Sequence, residues 1–153
     1  MTDLEPLIAK NPFFEGFAHE HLEVVVGCAT NVVFKDGEYI FREKQPANHF
    51  YLVRHGKVAL QVFAPGSKHI TIETIGEGEP IGWSWLIPPY KWHFDARCLG
   101  PVRALALDGE CLRGKCENDP SFGYQFMFRI AQMTAQRLRA SVIQMLDVYG
   151  DRN

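Results

Sequence analysis

Short apolar segments separated by turn signals run through residues 31–107 and constrain the fold more than any other feature. The large aliphatic residues from Val58 to Val62 occur at every second position, which is the period of a half-buried strand. Turn signals follow such segments at Lys35-Asp36-Gly37 and at Ala64-Pro65-Gly66-Ser67. Many short strands with frequent turns predict a closed or nearly closed antiparallel β structure.

Helices are predicted on both sides of this β region. After a last short strand over Val102–Leu107, Asp108 and the pair Asp119-Pro120 are helix-start signals, because aspartate caps a helix and proline suits its first position. The residues from Pro120 to about Tyr149 then predict a helix of roughly 45 Å. The expected division within one domain is a helical segment at 1–30, the β region at 31–107 and helices at 108–149.

Charge and cysteine content argue against several classes of function. The 16 basic residues are outnumbered by 18 acidic ones, so no basic face for nucleic acid is expected. The acidic amino terminus does not resemble a signal peptide, and no apolar run approaches about 20 residues, so we expect a cytoplasmic protein without membrane contact. No catalytic constellation appears, so no enzyme activity is expected. Four cysteines without a CxxC pair are predicted to be reduced thiols that bind no metal, namely Cys28, Cys98, Cys111 and Cys116.

Several short motifs occur in a specific order along most of the chain. They are Phe34-x-x-Gly37-Glu38-x-Ile40, Tyr51-x-Val53-x-x-Gly56-x-Val58, Ile75-Gly76-x-Gly78, Ile81-Gly82 and Gln136-Arg137-Leu138. In these motifs the sequence over residues 8–149 resembles the cyclic-nucleotide-binding domains of Crp/Fnr-type regulators and of protein kinase A regulatory subunits. The resemblance implies an α+β fold, with an antiparallel, jelly-roll-like β-roll flanked by amino-terminal helices and a long carboxy-terminal helix. Gly37 and Gly56 are expected where the roll reverses direction.

The resemblance also places the phosphate-binding cassette of that family at residues 81–96, where its charged anchors are missing. In the family, an arginine and the amides of a short helix hold the cyclic phosphate, and a glutamate accepts the ribose 2′-hydroxyl. Here Trp83 stands at the glutamate position and Phe94 at the arginine position, followed by Asp95. High-affinity binding of cyclic AMP or cyclic GMP is therefore not expected. The candidate ligand-binding residues, which include a weak anion nest at the first three, are Gly82, Trp83, Ser84, Trp85, Phe94, Asp95 and Ala96.

Aromatic residues are unusually dense in this cassette. They are Trp83, Trp85, Tyr90, Trp92, His93 and Phe94, and they include all three tryptophans of the chain. Three interpretations remain open: the rings fill the vacated site, they form a partner surface, or they line a pocket for an apolar or planar ligand. No cofactor is assigned, and haem at His93 is not expected. Arg97 faces the same side as Asp95 and is expected to form a surface ion pair.

The long helix carries apolar residues that point to self-association. A 4-3 repeat predicts a short heptad seam over Met127, Ala131, Thr134, Leu138, Ser141, Met145 and Val148. A second stripe of Phe126, Ile130 and Met133 is expected to pack on the roll, but it stops at Arg137. Beyond that point Leu138, Val142, Met145 and Tyr149 would lie in water, so they are predicted to form the seam of a parallel homodimer or of an equivalent contact with a larger partner.

Three functions follow from these features. No helix-turn-helix segment is expected after the long helix, so the first is a stand-alone regulatory or sensory domain with altered or lost cyclic-nucleotide binding, open to another small molecule. The second is an interaction subunit with a filled pocket that docks on an enzyme, and the resemblance to stand-alone domains with a similar aromatic cassette implies a redox enzyme. The third is a true cyclic AMP or cyclic GMP sensor with unusual contacts. Rings packed inside the roll would favour the second, and an open pocket would favour the others.

Overall fold

The amino-terminal part of the chain is helical, as predicted, in a computed structural model that describes residues 4–66 and 68–150. Helix α1 covers Leu4–Lys10, a short 3-10 helix covers Pro12–Phe14, and α2 covers His19–Gly27. Asn11 caps the 3-10 helix, since its Oδ1 accepts a hydrogen bond of 2.9 Å from the Phe13 amide. These helices bury apolar side chains, including Ile8, Phe13, Phe14 and Val25.

Six antiparallel strands form the sheet of the described residues. They are β1 (Ala29–Phe34), β2 (Tyr39–Phe41), β3 (His49–Ala64), β4 (Lys68–Ile75), β5 (Pro80–Ile81) and β6 (Asp95–Asp108). The order of neighbours is β1-β6-β3-β4, with β2 also paired to β6 and β5 paired to β3. The antiparallel β architecture between two helical segments is therefore confirmed. Strand β6 is longer than predicted, because its first residues pair with β2 and β3.

Gly56 does not mark a reversal of the chain, so that prediction is wrong. It lies inside the continuous strand β3, where the register with β6 shifts on both sides of His55. Its φ is +99°, and a Cβ there would lie 2.4 Å from the Pro101 carbonyl oxygen. Glycine is needed at a strand bulge where two backbones approach closely. Gly37, in contrast, does lie in the turn between β1 and β2, with a φ of +80°.

Both predicted helix caps are present. Helix α3 covers Gly109–Asn118, and the Cys111 amide donates a hydrogen bond of 2.8 Å to Asp108 Oδ1. Helix α4 covers Pro120–Gly150, and the Phe122 amide donates to Asp119 Oδ1 at 3.2 Å. Each aspartate satisfies an amide that has no partner within its helix. The start of the long helix is therefore set by local chemistry that the sequence shows directly.

Two cysteines form a disulfide, which contradicts the prediction of reduced thiols. Cys28 follows α2 and Cys111 lies in α3, and their Cα atoms are 5.8 Å apart although 83 positions separate them. The Asp108 amide donates to the Cys28 carbonyl at 2.9 Å, so the backbone brings these two ends together. Cys98 and Cys116 are free thiols. Burial raises the pKa of each to about 11, with Glu38 and Asp36 adding to the effect at Cys98 and Glu117 at Cys116.

The described chain divides into two compact units, one up to Lys115 and one from Cys116 onward. The first unit contains the sheet and the disulfide, and the second contains α4. The packing of Phe126, Ile130 and Met133 on the roll, and the single domain, stay predictions. Over residues 4–66 and 68–150, no helix has the length and apolarity that crossing a bilayer requires.

Candidate functional site

The cassette at residues 81–96 is a loop between β5 and β6 that contains turns in place of a short helix. Ile81 ends β5, and Asp95 and Ala96 begin β6. A turn follows Trp83, whose carbonyl accepts a hydrogen bond of 2.9 Å from the Leu86 amide. The row of free amides that a helix start offers to an anion is therefore reduced to a turn.

Trp92 is a buried residue of the cassette whose ring lies beside the rings of Phe41 and Tyr51. It is only 4% exposed, and its ring stacks on that of Phe41 with 3.6 Å between centroids and 5° between planes. The Tyr51 ring lies 6.5 Å from Trp92, and burial raises the pKa of the Tyr51 phenol. Two backbone hydrogen bonds to the loop before β3 fix the position of Trp92. Its amide donates to the Gln45 carbonyl at 3.0 Å, and its carbonyl accepts from the Lys44 amide at 2.8 Å.

Gly82 makes room for this tryptophan. A Cβ at position 82 would lie 2.8 Å from Cζ3 of Trp92, and the φ of Gly82 is +67°. Both the close approach and the left-handed backbone require glycine at this point. The family glycine of the cassette therefore contacts an indole of the same loop in this protein.

Trp85 belongs to the hydrophobic core and is fully buried. Its ring lies 5.3 Å from that of Phe50, and its carbonyl accepts a hydrogen bond from Nη1 of Arg113 in α3. The same guanidinium lies over the ring of Tyr90, with 4.2 Å to the centroid. Arg113 therefore ties the cassette to α3 at two positions, Trp85 and Tyr90.

Asp95 is a buried carboxylate at the end of the cassette. Its Oδ1 accepts a hydrogen bond of 2.7 Å from the Glu43 amide and lies 3.4 Å from Nε of Arg42. Its Oδ2 lies 3.9 Å from Nε2 of His69. Asp95, which is predicted to follow the arginine position of the cassette, is thus an acceptor that already has charged and amide partners.

Arg97 does not form the expected ion pair within the described residues. The side chain is exposed, and its Nε donates a hydrogen bond of 3.2 Å to the Gly37 carbonyl. The guanidinium lies over the ring of Tyr39, with 5.5 Å to the centroid. It therefore supports the turn between β1 and β2 instead of replacing the missing cassette arginine.

The seven candidate residues do not share one environment. Trp85, Asp95 and Ala96 are buried, while Gly82, Trp83, Ser84 and Phe94 are half-buried. The aromatic excess included Trp92, but the list of candidates did not. Phe41, Tyr51 and Arg113 were also missed as site residues, because only the folded chain brings them to the cassette. In the described part of the chain, no three side chains are grouped to hold a metal ion.

Helix α4 presents a row of exposed side chains, and every residue from Leu138 to Gly150 is exposed. Met127 and Thr134 of the predicted heptad are half-buried. The exposed row keeps the 4-3 spacing in a different register and includes the four predicted seam residues. It comprises Tyr124, Phe128, Ala131, Ala135, Leu138, Val142, Met145 and Tyr149, which we call the α4 row.

Comparison with known proteins gives one consistent result. The family model described as cyclic nucleotide-binding domain matches residues 31–119. The CRP-like cAMP-activated global transcriptional regulator of Mycobacterium tuberculosis is 22% identical over 145 residues, an alignment that covers 95% of this chain and 63% of the regulator. The chain thus spans less than two thirds of that relative.

Solved structures have the same fold. A Geobacter metallireducens protein provisionally described as cyclic nucleotide-binding is 29% identical with a TM-score of 0.79, over 90% of this chain and 99% of that one. The catabolite activator protein of Thermus thermophilus is 26% identical with a TM-score of 0.71, over 91% of this chain and 63% of that one.

Proposed function

Because the chain belongs to the cyclic nucleotide-binding domain family, we propose that it is a regulatory or sensory domain whose usual nucleotide site is filled by its own side chains. The observation that carries the proposal is Trp92, a cassette residue that is buried and stacked on Phe41. Two parallel rings at this distance leave no space for a nucleobase or sugar between them. The fold of a sensor is retained, and its ligand is replaced by an indole.

The charges at the cassette support the same conclusion. A cyclic phosphate needs a positive partner, and the positions that would hold its arginine and the ribose-binding glutamate are Phe94 and Trp83. The carboxylate of Asp95 would repel a phosphate, and Arg42 lies beside that carboxylate instead of being free for a ligand. Binding of cyclic AMP in the usual manner would therefore require both a displaced tryptophan and a desolvated, poorly paired phosphate.

We propose that the domain acts through protein contacts, with a second copy of the chain as the partner of α4. The α4 row places apolar side chains at coiled-coil spacing, and Leu138 and Met145 are 65% and 59% exposed. Burying such side chains is worth about 1.5–3 kcal/mol each when it is complete. Docking on a larger partner protein, such as an enzyme, is the second candidate and would use the same row.

Thermal unfolding with added cyclic AMP tests the filled site. A ligand at 100 times its Kd would stabilise the folded state by about 2.7 kcal/mol, which is a shift of roughly 5–11 °C for a chain of this size. We expect no such shift with cyclic AMP or cyclic GMP at millimolar concentration. The cAMP-activated relative from M. tuberculosis provides a positive control. A clear upward shift of the melting temperature at micromolar cyclic AMP would contradict the proposal.

A further inference from the structure

A cleft of about 390 Å³ lies in the first compact unit, away from the cassette. Its walls come from the end of α1 and the 3-10 helix, from the first half of β3, and from the loop after β4. The lining residues that matter for its chemistry are Lys10, Asn11, Arg54, His55, Glu77 and Gly78. Its volume is within the range of small-molecule sites, about 300–1,000 Å³, and it shares no residue with the cassette.

The cleft has more positive than negative groups, although the whole chain has a formal net charge of −2. Glu77 is the acidic residue of the lining, and its Oε1 lies 3.5 Å from Nδ1 of His55. Arg54 Nη1 donates a hydrogen bond of 2.9 Å to Asn31 Oδ1, which is a neutral partner. Within residues 4–66 and 68–150, no carboxylate forms an ion pair with Lys10 or Arg54. Two cationic side chains at one cleft therefore lack an anionic partner.

The walls of the cleft are held in place by the backbone. The Gly78 amide donates to the Val53 carbonyl at 2.8 Å, and the Val53 amide donates to the Glu79 carbonyl at 3.0 Å. These bonds fix the loop of Glu77 beside Arg54. A Cβ at position 78 would lie 3.0 Å from Pro12 Cγ, so the glycine lets the 3-10 helix close one end of the cleft. The Arg54 fork, anchored at one nitrogen by Asn31, keeps other N–H groups for a bidentate anion.

We propose that this cleft binds a small molecule with two anionic groups, one paired with Arg54 and the other with Lys10. Diphosphates and dicarboxylates share this chemistry, and a monovalent anion would engage only one of the two cations. The site rests on the cleft alone and is independent of whether the cassette binds a nucleotide. It would give the protein a regulatory ligand site outside the β-roll interior.

Isothermal titration calorimetry at low ionic strength tests the site, with pyrophosphate and malonate as separate probes. We expect the wild-type chain to bind at least one of them, and Arg54→Gln and Lys10→Gln each to weaken that binding by about tenfold or more. Lys57→Gln is the matched control, because Lys57 is an exposed cation on the same strand, outside the cleft. This control should bind like the wild type, and far-ultraviolet circular dichroism should show every variant folded.

Each result has a defined consequence. Binding of pyrophosphate without malonate assigns the site to phosphates, and the reverse assigns it to carboxylates. Absence of binding by both probes at millimolar concentration overturns the proposal. Equal binding by wild type and Lys10→Gln also overturns it, because the proposal requires Lys10 to pair with one of the two anionic groups. Lys10 is exposed, so its replacement is expected to leave the fold intact. If all three variants weaken binding equally, the attraction is general and the cleft is not a site.

Discussion

Replacing Trp92 by alanine should both destabilise the protein and open a ring-sized cavity. The Trp92 side chain is 4% exposed and is stacked on Phe41 at 3.6 Å. In the alanine variant its packing contacts are lost, and water does not replace them in a buried apolar space. Truncating a buried tryptophan to alanine costs about 3–5 kcal/mol. For a chain of this size, we expect a decrease in melting temperature of roughly 6–20 °C. Urea unfolding followed by circular dichroism measures the free energy directly.

The cavity gives this prediction a second, more specific readout. Empty apolar cavities lined by aromatic and aliphatic groups bind small rings, so free indole should raise the melting temperature of Trp92→Ala and leave the wild type unchanged. Ile87→Ala is the matched control, because Ile87 is an exposed apolar residue of the same loop, at 56% exposure. Its free energy of unfolding should stay within about 0.5 kcal/mol of the wild type.

Two results would refute the reasoning. If Trp92→Ala loses less than about 1 kcal/mol, the indole is not a core element and the site is not filled by it. If indole stabilises the wild type as much as the variant, an open ring-binding site exists beside Trp92. The second result would favour a ligand-binding function for the cassette.

Three further predictions concern the cysteines and α4. The double variant Cys28→Ser, Cys111→Ser should have a free energy of unfolding lower by up to about 4.5 kcal/mol, because the disulfide closes a loop of 83 residues. A reductant should destabilise the wild type and leave the double variant unchanged. Leu138→Glu with Met145→Glu should convert a dimer to a folded monomer in sedimentation; a wild type already monomeric at micromolar concentration would contradict the homodimer. Cys98 has a pKa raised to about 11, and only the thiolate reacts with iodoacetamide, so its labelling should be slow at pH 8 and faster as the pH approaches 11. Fast labelling at pH 8 would show that the thiol is not buried.

The sequence determined the features that depend on near neighbours along the chain. The strand at residues 58–62, the turn at Gly37, and the caps at Asp108 and Asp119 are all set within a few residues, and all are present. The alternating burial expected in that strand is not present, because the three consecutive residues from Val58 to Leu60 are buried. The family motifs also predicted where the cassette lies and that Phe94 stands at its arginine position, and both stay predictions. The fold class followed from these local signals because periodicity, turn chemistry and capping agree.

Tertiary structure alone decided the features that join distant positions. Gly56 became a bulge because the Pro101 carbonyl approaches it from β6, and Cys28 met Cys111 because the ends of α2 and α3 lie together. The density of rings in the cassette left three interpretations open, and the sequence did not indicate that Trp92 stacks on Phe41, which is the contact that supports the proposal of a filled site. Such contacts depend on how strands pair in space, and no local pattern encodes which distant backbone or ring comes within a few ångströms.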